Sequence, residues 1–236
     1  MRTAVVTGAS RGLGEALARM FAEEGCALVL AARDTGQLAV VAAEIEAAHG
    51  TPVVTRACDV TDSDDLAALC AIALERFGRV DIVVANAGIG AFGSLAEFDE
   101  ERFRAILDVN VLGVWRTMRA FATALTAAPT TGLLLVVSSD VSARVFPDGG
   151  PYVASKHAVR ALARTFQQEH PQLRVCELRP GSTRTAFNEA DPDAPADAGQ
   201  LTADEVAQAV RVVVQAPDGV RIEELALRSV GQAPSY

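Results

Sequence analysis

Short apolar segments alternate with longer amphipathic segments along most of the chain. The apolar segments are short and several are rich in valine, which is typical of strands buried on both faces of a parallel sheet. They are Ala4–Thr7, Ala27–Ala32, Val53–Ala57, Ile82–Ala85, Leu133–Ser138 and Val175–Leu178, with Leu225–Leu227 as a further candidate. The pattern predicts a core built around one parallel sheet.

The segments between these strands have the spacing of apolar residues expected for helices. They are Leu13–Glu24, Leu38–Ala48, Asp62–Phe77, Glu101–Thr126, Tyr152–Gln168 and Thr202–Gln215. Gly25 and Gly78 suit helix C-termini, and Thr202 with Glu205 forms a capping-box pattern. Because strands alternate with helices, we expect a doubly wound α/β fold, with helices on both faces of the sheet and a single domain over residues 1–236.

Composition and charge exclude several classes of protein. The 236 residues are 50% hydrophobic and carry a net charge of −9, which disfavours general binding to nucleic acid. The apolar runs are far shorter than the ~20 residues that cross a bilayer, and we expect no secretory leader and no membrane. Four scattered cysteines indicate buried thiols in a reducing cytoplasm, with neither a metal site nor a disulfide.

The first strand leads directly into a glycine loop and then a helix. The loop reads Thr7-Gly8-Ala9-Ser10-Arg11-Gly12-Leu13-Gly14. Glycines let the backbone approach a ligand closely, and the following helix directs free N–H groups at a phosphate. The spacing of Gly8, Gly12 and Gly14 resembles the glycine loop of the short-chain dehydrogenase/reductase family, rather than the more widespread Gly-x-Gly-x-x-Gly.

Further motifs of that family follow in the family's order. Asp59-Val60 and Asn86-Ala87-Gly88 follow the third and fourth strands, and Tyr152 with Lys156 forms the Tyr-x-x-x-Lys motif thirteen residues after Ser139. The resemblance implies one three-layer, Rossmann-type domain with about seven parallel strands. It also implies a set of cofactor-binding residues: Gly8, Ser10, Arg11, Gly12, Leu13, Gly14, Arg33, Asp59, Val60, Asn86, Ala87, Gly88, Tyr152, Lys156, Pro180, Gly181, Thr183 and Thr185.

The implied chemistry is proton transfer coupled to hydride transfer. Tyr152 and Lys156 are four residues apart on a predicted helix and share one face, so the ammonium is expected to lower the pKa of the phenol. In the family, Ser139 donates a hydrogen bond to the substrate oxygen and Asn110 positions a water for proton resupply. Ser138 is the rival of Ser139, and the thirteen-residue spacing favours Ser139, with Ser138 facing away.

The residues after the second strand indicate the choice of cofactor. Asp34 lies where a simple rule places the carboxylate that binds the ribose of NAD. In the family, however, that carboxylate ends the second strand, and the residue there is Ala32. Arg11 and Arg33 resemble the basic residues that bind the 2′-phosphate of NADP, whereas Asp34 resembles a helix cap. We therefore expect NADP(H).

The sequence indicates less about the substrate than about the cofactor. Phe92, Val145, Phe146 and Phe187 come from the segments that line the substrate cleft in the family, and residues 186–200 form the corresponding loop. Arg144 is either an anchor for an anionic substrate or a solvated side chain, and Glu223-Glu224 looks like solvated surface. We expect a small carbonyl or alcohol substrate and a homodimer or homotetramer.

Three functions stay open. The first is an NADPH-dependent carbonyl or keto reductase. The second is a 3-oxoacyl-carrier ketoreductase, which requires a basic docking face; its candidate residues are Arg116, Arg119, Arg160 and Arg164. The third is a non-catalytic NADP(H)-binding sensor, although proteins of that kind typically lose the tyrosine or the lysine.

Overall fold

A computed structural model describes residues 1–185, 187 and 199–232. Most of the predicted substrate loop at 186–200 therefore lies outside the described residues. The main sheet has seven parallel strands: β1 (Thr3–Thr7), β2 (Ala27–Ala32), β3 (Val53–Ala57), β4 (Ile82–Ala85), β5 (Leu133–Val137), β6 (Arg174–Pro180) and, after two short strands that pair with each other, β9 (Glu224–Leu227). Their order across the sheet is β3-β2-β1-β4-β5-β6-β9. The predicted doubly wound α/β fold is confirmed.

The helices cover both faces of this sheet. They are α1 (Gly12–Glu23), α2 (Thr35–His49), α3 (Ser63–Phe77), α4 (Glu100–Leu107), α5 (Gly113–Thr126), α6 (Gly150–Glu169) and α7 (Ala203–Val214). Alternate strand residues divide the core into two apolar clusters. One joins the sheet to α1, α2 and α7, and the other joins it to α3, α5 and α6. The chain reverses its direction of winding between β1 and β4, where ligands bind in folds of this kind.

The sequence predicts one continuous helix over Glu101–Thr126, and this is wrong. The structure divides it into α4, a π-helical turn over Asp108–Leu112, and α5. Asn110 lies in the π turn and is 1% exposed. A π turn inserts one extra residue into the helix and often marks a functional site. Periodicity does not reveal it, because a single inserted residue leaves the apolar pattern on either side intact.

Two short strands were not expected from the sequence. β7 (Thr183–Arg184) and β8 (Leu201–Thr202) pair in parallel and join the segment after β6 to the start of α7. The predicted capping box is present, since Thr202 and Glu205 exchange hydrogen bonds at the start of α7. Across the described ranges, no helix has the length and apolar character needed to span a bilayer.

Candidate active site

One large cavity opens along the carboxyl ends of β1 to β6, with a volume of about 1020 Å³. It is lined by all of the predicted cofactor-binding residues and by Ser139. The sequence motifs, which are spread over residues 7–185, therefore converge on one surface. This is the edge of a doubly wound sheet at which ligands are expected.

The glycine loop forms a backbone cradle at the centre of the cavity. Gly8 has a φ of +67°, and a Cβ at this position would lie 2.9 Å from Ala87 Cα. A Cβ at Gly14 would lie 2.2 Å from the Gly8 carbonyl oxygen and 2.6 Å from Asn86 Nδ2. Both positions therefore require glycine. A cradle of bare backbone at the start of α1 fits the pyrophosphate of a dinucleotide.

Side chains hold the loops after β1 and β4 together. Asn86 Nδ2 donates hydrogen bonds to the carbonyl oxygens of Thr7 (2.9 Å) and Gly8 (3.1 Å). In the other direction, Thr7 Oγ1 accepts from the backbone N–H groups of Asn86 (3.1 Å) and Ala87 (3.3 Å) and donates to Val84 O. We refer to this set of bonds as the Thr7–Asn86 staple. It holds the cradle in place through hydrogen bonds between groups of the protein itself.

Two arginines line the end of the cavity beside β2. Ala32 closes the strand, and the exposed side chains of Arg11 and Arg33 line the cavity beside it. Arg33 Nη1 is 4.0 Å from Asp59 Oδ2, which is a weak pair. Asp34 also lines the cavity, but its Oδ1 accepts a hydrogen bond from Gln37 N (3.0 Å) and caps α2, as expected. No carboxylate therefore ends β2 itself.

Asp59 lies opposite Arg33 and is held by its own turn. Its Oδ1 accepts from Thr61 N (2.9 Å) and Thr61 Oγ1 (2.8 Å). Burial alone would raise the pKa of Asp59, but the Thr61 hydrogen bonds and the charges of Arg33 and Arg116 outweigh it and lower that pKa. The carboxylate is thus an ionised acceptor at the cavity wall.

The three predicted catalytic groups that line the cavity are close together. The Ser139 hydroxyl interacts with the Tyr152 phenol and acts to lower its pKa, and Lys156 Nζ lies 5.7 Å from the centre of the Tyr152 ring. Ser138 is also among the residues that line the cavity, but its hydroxyl oxygen is buried and has no hydrogen-bond partner within the described residues. The interaction with Tyr152 distinguishes Ser139 from Ser138.

The pKa of the Tyr152 phenol differs from the expectation drawn from its spacing to Lys156. Burial raises the pKa of Tyr152 to about 12; the bond with Ser139 opposes this rise and the Asp140 carboxylate adds to it. Burial lowers the pKa of Lys156 to about 8, against the effect of Glu177. Lys156 does not lower the pKa of the phenol here, because its Nζ donates to Val137 O at 3.0 Å and desolvation of the phenol dominates. Tyr152 is therefore a protonated acid at neutral pH.

Asn110 does not line the cavity but lies behind it. Its Oδ1 accepts from Ile89 N (2.8 Å), and its Nδ2 donates to Ile89 O (2.8 Å) and Ser155 Oγ (3.1 Å). Both amide hydrogens are thus used to hold α6 against the loop after β4. The side chain acts as a brace between the two walls that carry Gly88 and Tyr152.

Sequence reasoning missed the buried carboxylate next to Ser139. Asp140 is 3% exposed, and its Oδ2 accepts from Arg144 Nε (3.0 Å) and Gln232 Nε2 (3.3 Å), while its Oδ1 accepts from Ser139 Oγ (3.4 Å). Arg144 is therefore paired with this carboxylate and is not a free anchor for an anion. No signal in the sequence distinguished Asp140 from an ordinary turn residue.

A second group of carboxylates lies beneath α6. Glu177 is buried within β6 and accepts from Ser142 Oγ at 2.8 Å. Glu224 pairs with Arg160, Arg164 and Arg179, so the expectation of a solvated Glu223-Glu224 pair is wrong for Glu224. A charged residue inside the apolar run of β6 was the available signal, since buried charges are normally paired.

The predicted basic docking face is largely neutralised. Arg116 pairs with Asp108 at 2.7 Å, and Arg160 and Arg164 pair with Glu224. Arg119 lies over the Trp115 ring. These contacts leave little uncompensated positive charge for an acidic carrier.

Three of the four predicted substrate residues belong to one aromatic group with Tyr152, and two of them contact its ring. Phe92 and Phe187 lie 5.7 Å and 5.6 Å from the Tyr152 ring, measured between ring centres, and Phe146 lies 6.0 Å from Phe92. Val145 does not line this cavity. Its side chain is 77% exposed and borders a smaller surface pocket, because neighbouring residues of an extended segment point in opposite directions.

Comparison with known proteins places this geometry in a family. Residues 2–196 match the family described as short chain dehydrogenase. The chain belongs to the short-chain dehydrogenase family. As a member of this family it is an oxidoreductase that interconverts CH–OH and C=O groups, and the expectation drawn from the ordered motifs is confirmed.

Solved and curated relatives agree with this assignment. An alcohol dehydrogenase from the archaeon Thermococcus sibiricus, complexed with 5-hydroxy-NADP, is 49% identical with a TM-score of 0.96, and the match covers 100% of both chains. A metagenomic short-chain oxidoreductase in complex with NADP is 33% identical, with a TM-score of 0.82 and 96% of each chain covered. An uncharacterized NAD-dependent oxidoreductase of Mycobacterium tuberculosis is 37% identical over 80% of this chain and 74% of its own length. The names of these short-chain dehydrogenases thus include both nicotinamide cofactors.

Proposed function

We propose that this protein is an NADP-dependent carbonyl reductase, and in the reverse direction an alcohol dehydrogenase, that acts on a ketone or aldehyde. The observation that carries the proposal is the arrangement of one cavity. Tyr152 and Ser139 lie at one end, Arg11 and Arg33 lie at the other, and the glycine cradle lies between them. This order of groups along one cavity suits a dinucleotide.

The reaction requires a proton donor and a group that stabilises negative charge on the substrate oxygen. The nicotinamide cofactor supplies or accepts the hydride when it is bound. Tyr152 gives its proton to the developing alkoxide, and its raised pKa suits this direction because the phenol is protonated at neutral pH. The Ser139 hydroxyl donates a hydrogen bond to the same oxygen, where negative charge develops.

Lys156 has two tasks in this scheme. Its ammonium donates to the Val137 carbonyl, lies 5.7 Å from the centre of the Tyr152 ring, and would bind the ribose of the cofactor. Asn110 keeps α6 at the correct distance from the loop after β4. Lys156 therefore places a cation beside the Tyr152 ring, and Asn110 helps to position the helix that carries Tyr152.

The choice of NADP(H) rests on the chain's own residues, since relatives are described with either cofactor. A 2′-phosphate beside Ala32 would meet the guanidinium groups of Arg11 and Arg33, whereas a carboxylate at the end of β2 would repel it. Asp34 does not take that role, because its Oδ1 is engaged in capping α2. NADPH is therefore the cofactor that the cavity suits.

Steady-state kinetics with the two cofactors test the proposal. We expect kcat/KM to be higher for NADPH than for NADH. Arg11→Ala and Arg33→Ala should each lower kcat/KM for NADPH by roughly tenfold, the value of one charge-assisted hydrogen bond at an exposed site, and leave NADH unaffected. Arg76→Ala, an exposed arginine in the last turn of α3, is the matched control. A preference for NADH in the parent enzyme would overturn the NADP assignment.

The acyl-carrier alternative has less support than a free carbonyl substrate. Its docking face would need uncompensated arginines, and those on α5 and α6 are mostly paired with carboxylates. The sensor alternative does not explain why Tyr152, Ser139 and Lys156 lie together in one cavity. The proposed reductase agrees both with the paired arginines and with the grouping of the three side chains in one cavity.

A further inference from the structure

Three phenylalanines form one group with Tyr152: Phe92 and Phe187 contact its ring, and Phe146 contacts Phe92. Phe92 follows β4, Phe146 follows β5 and Phe187 follows β6, so three separate loops contribute one ring each. Phe92 meets Tyr152 edge-on at 77°, and Phe187 is inclined to it at 55°. Phe92 is 47% exposed, although aromatic rings of this size normally gain much from burial. We refer to these three residues as the aromatic wall.

Local glycines make room for two of these rings. A Cβ at Gly90 would lie 2.5 Å from Phe187 Cε1, and a Cβ at Gly149 would lie 2.7 Å from Phe146 Cζ. Any larger residue at either position would displace the ring. The rings are thus packed directly against backbone, which fixes their positions beside Tyr152.

Arg144, a cation beside the aromatic wall, is paired with a carboxylate. Arg144 lies 5.6 Å from the centre of the Phe146 ring, but its Nη2 is 2.9 Å from Asp140 Oδ2. The Asp140 side chain is 5% exposed, so the pair is held within the protein. An anionic substrate group would have to compete with a buried carboxylate for this arginine. The aromatic wall is therefore apolar, and the arginine beside Phe146 is engaged by a carboxylate of the protein.

We propose that the substrate is a neutral ketone or aldehyde with an aromatic or similarly bulky apolar group, which packs against the aromatic wall while its carbonyl faces Tyr152 and Ser139. This inference rests on the proposed reductase function and adds the class of substrate. A flat apolar group would cover the exposed face of Phe92. It would also make edge or offset contacts with the rings of Phe146 and Phe187.

A series of methyl ketones tests this substrate class. We expect kcat/KM with NADPH to rise from acetone through cyclohexyl methyl ketone to acetophenone, by roughly 10- to 100-fold overall, as expected for burying one ring. Benzoylformate, an anionic aryl ketone, should not exceed acetophenone. Arg102 and Arg184 also line the cavity, and this compound reports on any anion site that they form.

Variants connect the preference to the wall. Phe187→Ala and Phe92→Ala should lower kcat/KM for acetophenone at least tenfold, mainly through KM, and lower that for acetone by a smaller factor. Gly90→Ala should act in the same direction, because it displaces Phe187. The matched control is Val145→Ala, which removes an exposed apolar side chain outside the cavity and should preserve the ratio of acetophenone to acetone.

A binding measurement separates this inference from the proposed function. In the Tyr152→Phe variant saturated with NADPH, calorimetry should give a Kd for acetophenone at least tenfold below that for acetone. Equal Kd values, equal kcat/KM values or a preference for benzoylformate would overturn the substrate class. Binding of acetophenone to the NADPH complex without reduction of any ketone by the parent enzyme would instead overturn the reductase function.

Discussion

Gly14 provides the sharpest test of the cofactor cradle. A methyl group at this position would lie 2.2 Å from Gly8 O and 2.6 Å from Asn86 Nδ2, whereas ordinary contacts begin near 3.4 Å. The Gly14→Ala variant must therefore shift the loop by more than 1 Å at the Gly8 carbonyl. That shift separates Asn86 from the two carbonyl oxygens it bonds. The perturbation thus acts on the cradle and the Thr7–Asn86 staple together.

The expected magnitude follows from these contacts. Overpacking costs about 1–3 kcal/mol, and the loss of two neutral hydrogen bonds costs about 0.5–1.5 kcal/mol each. We expect the free energy of unfolding to fall by roughly 2–6 kcal/mol, and the affinity for NADPH to fall at least tenfold. Asn86→Ala removes only the bonds, so its loss of stability should be smaller, about 1–3 kcal/mol.

Denaturant unfolding and NADPH fluorescence titration measure the two effects. Gly36→Ala is the matched control, because the nearest atom to its new methyl group would be Asp34 Oδ1 at an ordinary 3.6 Å. Its stability should change by no more than about 1 kcal/mol, and its NADPH affinity should not change. If Gly14→Ala binds NADPH within twofold of the parent and unfolds with the same free energy, the packing argument is incorrect.

Three further predictions concern proton transfer and stability. Tyr152→Phe should lower kcat by about 10²–10⁴-fold and leave the Kd for NADPH within about twofold; full turnover would exclude Tyr152 as the donor. Because the pKa of Lys156 is lowered to about 8, its charge is lost as the pH rises through that value. The kcat/KM for NADPH should therefore decline above about pH 8, and a profile that stays flat to pH 10 would contradict this. Asp81→Asn should lower the free energy of unfolding by about 3–5 kcal/mol at pH 7, because Asp81 is buried and accepts hydrogen bonds from Arg79, Thr3 and Thr130. Burial would raise the pKa of Asp81, but these hydrogen bonds and the charge of Arg79 lower it. The carboxylate therefore contributes to the free energy of unfolding above the ordinary carboxyl pKa of about 4, and this contribution is lost as the pH falls below that value. Urea unfolding of both proteins at pH 7 and pH 3 should show the difference shrinking at low pH.

Much of the fold could be predicted because its signals are local. Valine-rich strands bounded by glycine and polar residues identified the seven strands of the main sheet to within one or two residues. The limits appear where a neighbour in space sets the structure. The π turn at Asn110 depends on bonds to Ile89 and Ser155, which lie 21 and 45 residues away in sequence. The spacing of apolar residues along the sequence contains no information about such contacts.

The candidate site likewise contains features that the sequence could predict and features that it could not. Residues that belong to spaced motifs, such as Gly8, Ser139 and Tyr152, line the cavity as expected. The direction of the pKa of Tyr152 was wrong, since it depends on burial rather than on the four-residue spacing from Lys156. Asp140 was missed for a similar reason, because its partners Arg144 and Gln232 become neighbours only in the folded chain.

The Thr7–Asn86 staple has a consequence for the kinetics of cofactor binding. The backbone N–H groups of Asn86 and Ala87 already have an acceptor in Thr7 Oγ1, so this part of the loop is ordered when the protein folds. Their amide hydrogens should exchange slowly with solvent even in the free enzyme. The association rate of NADPH should then be governed by diffusional encounter and charge steering toward the two arginines, without a slow closure of the cradle.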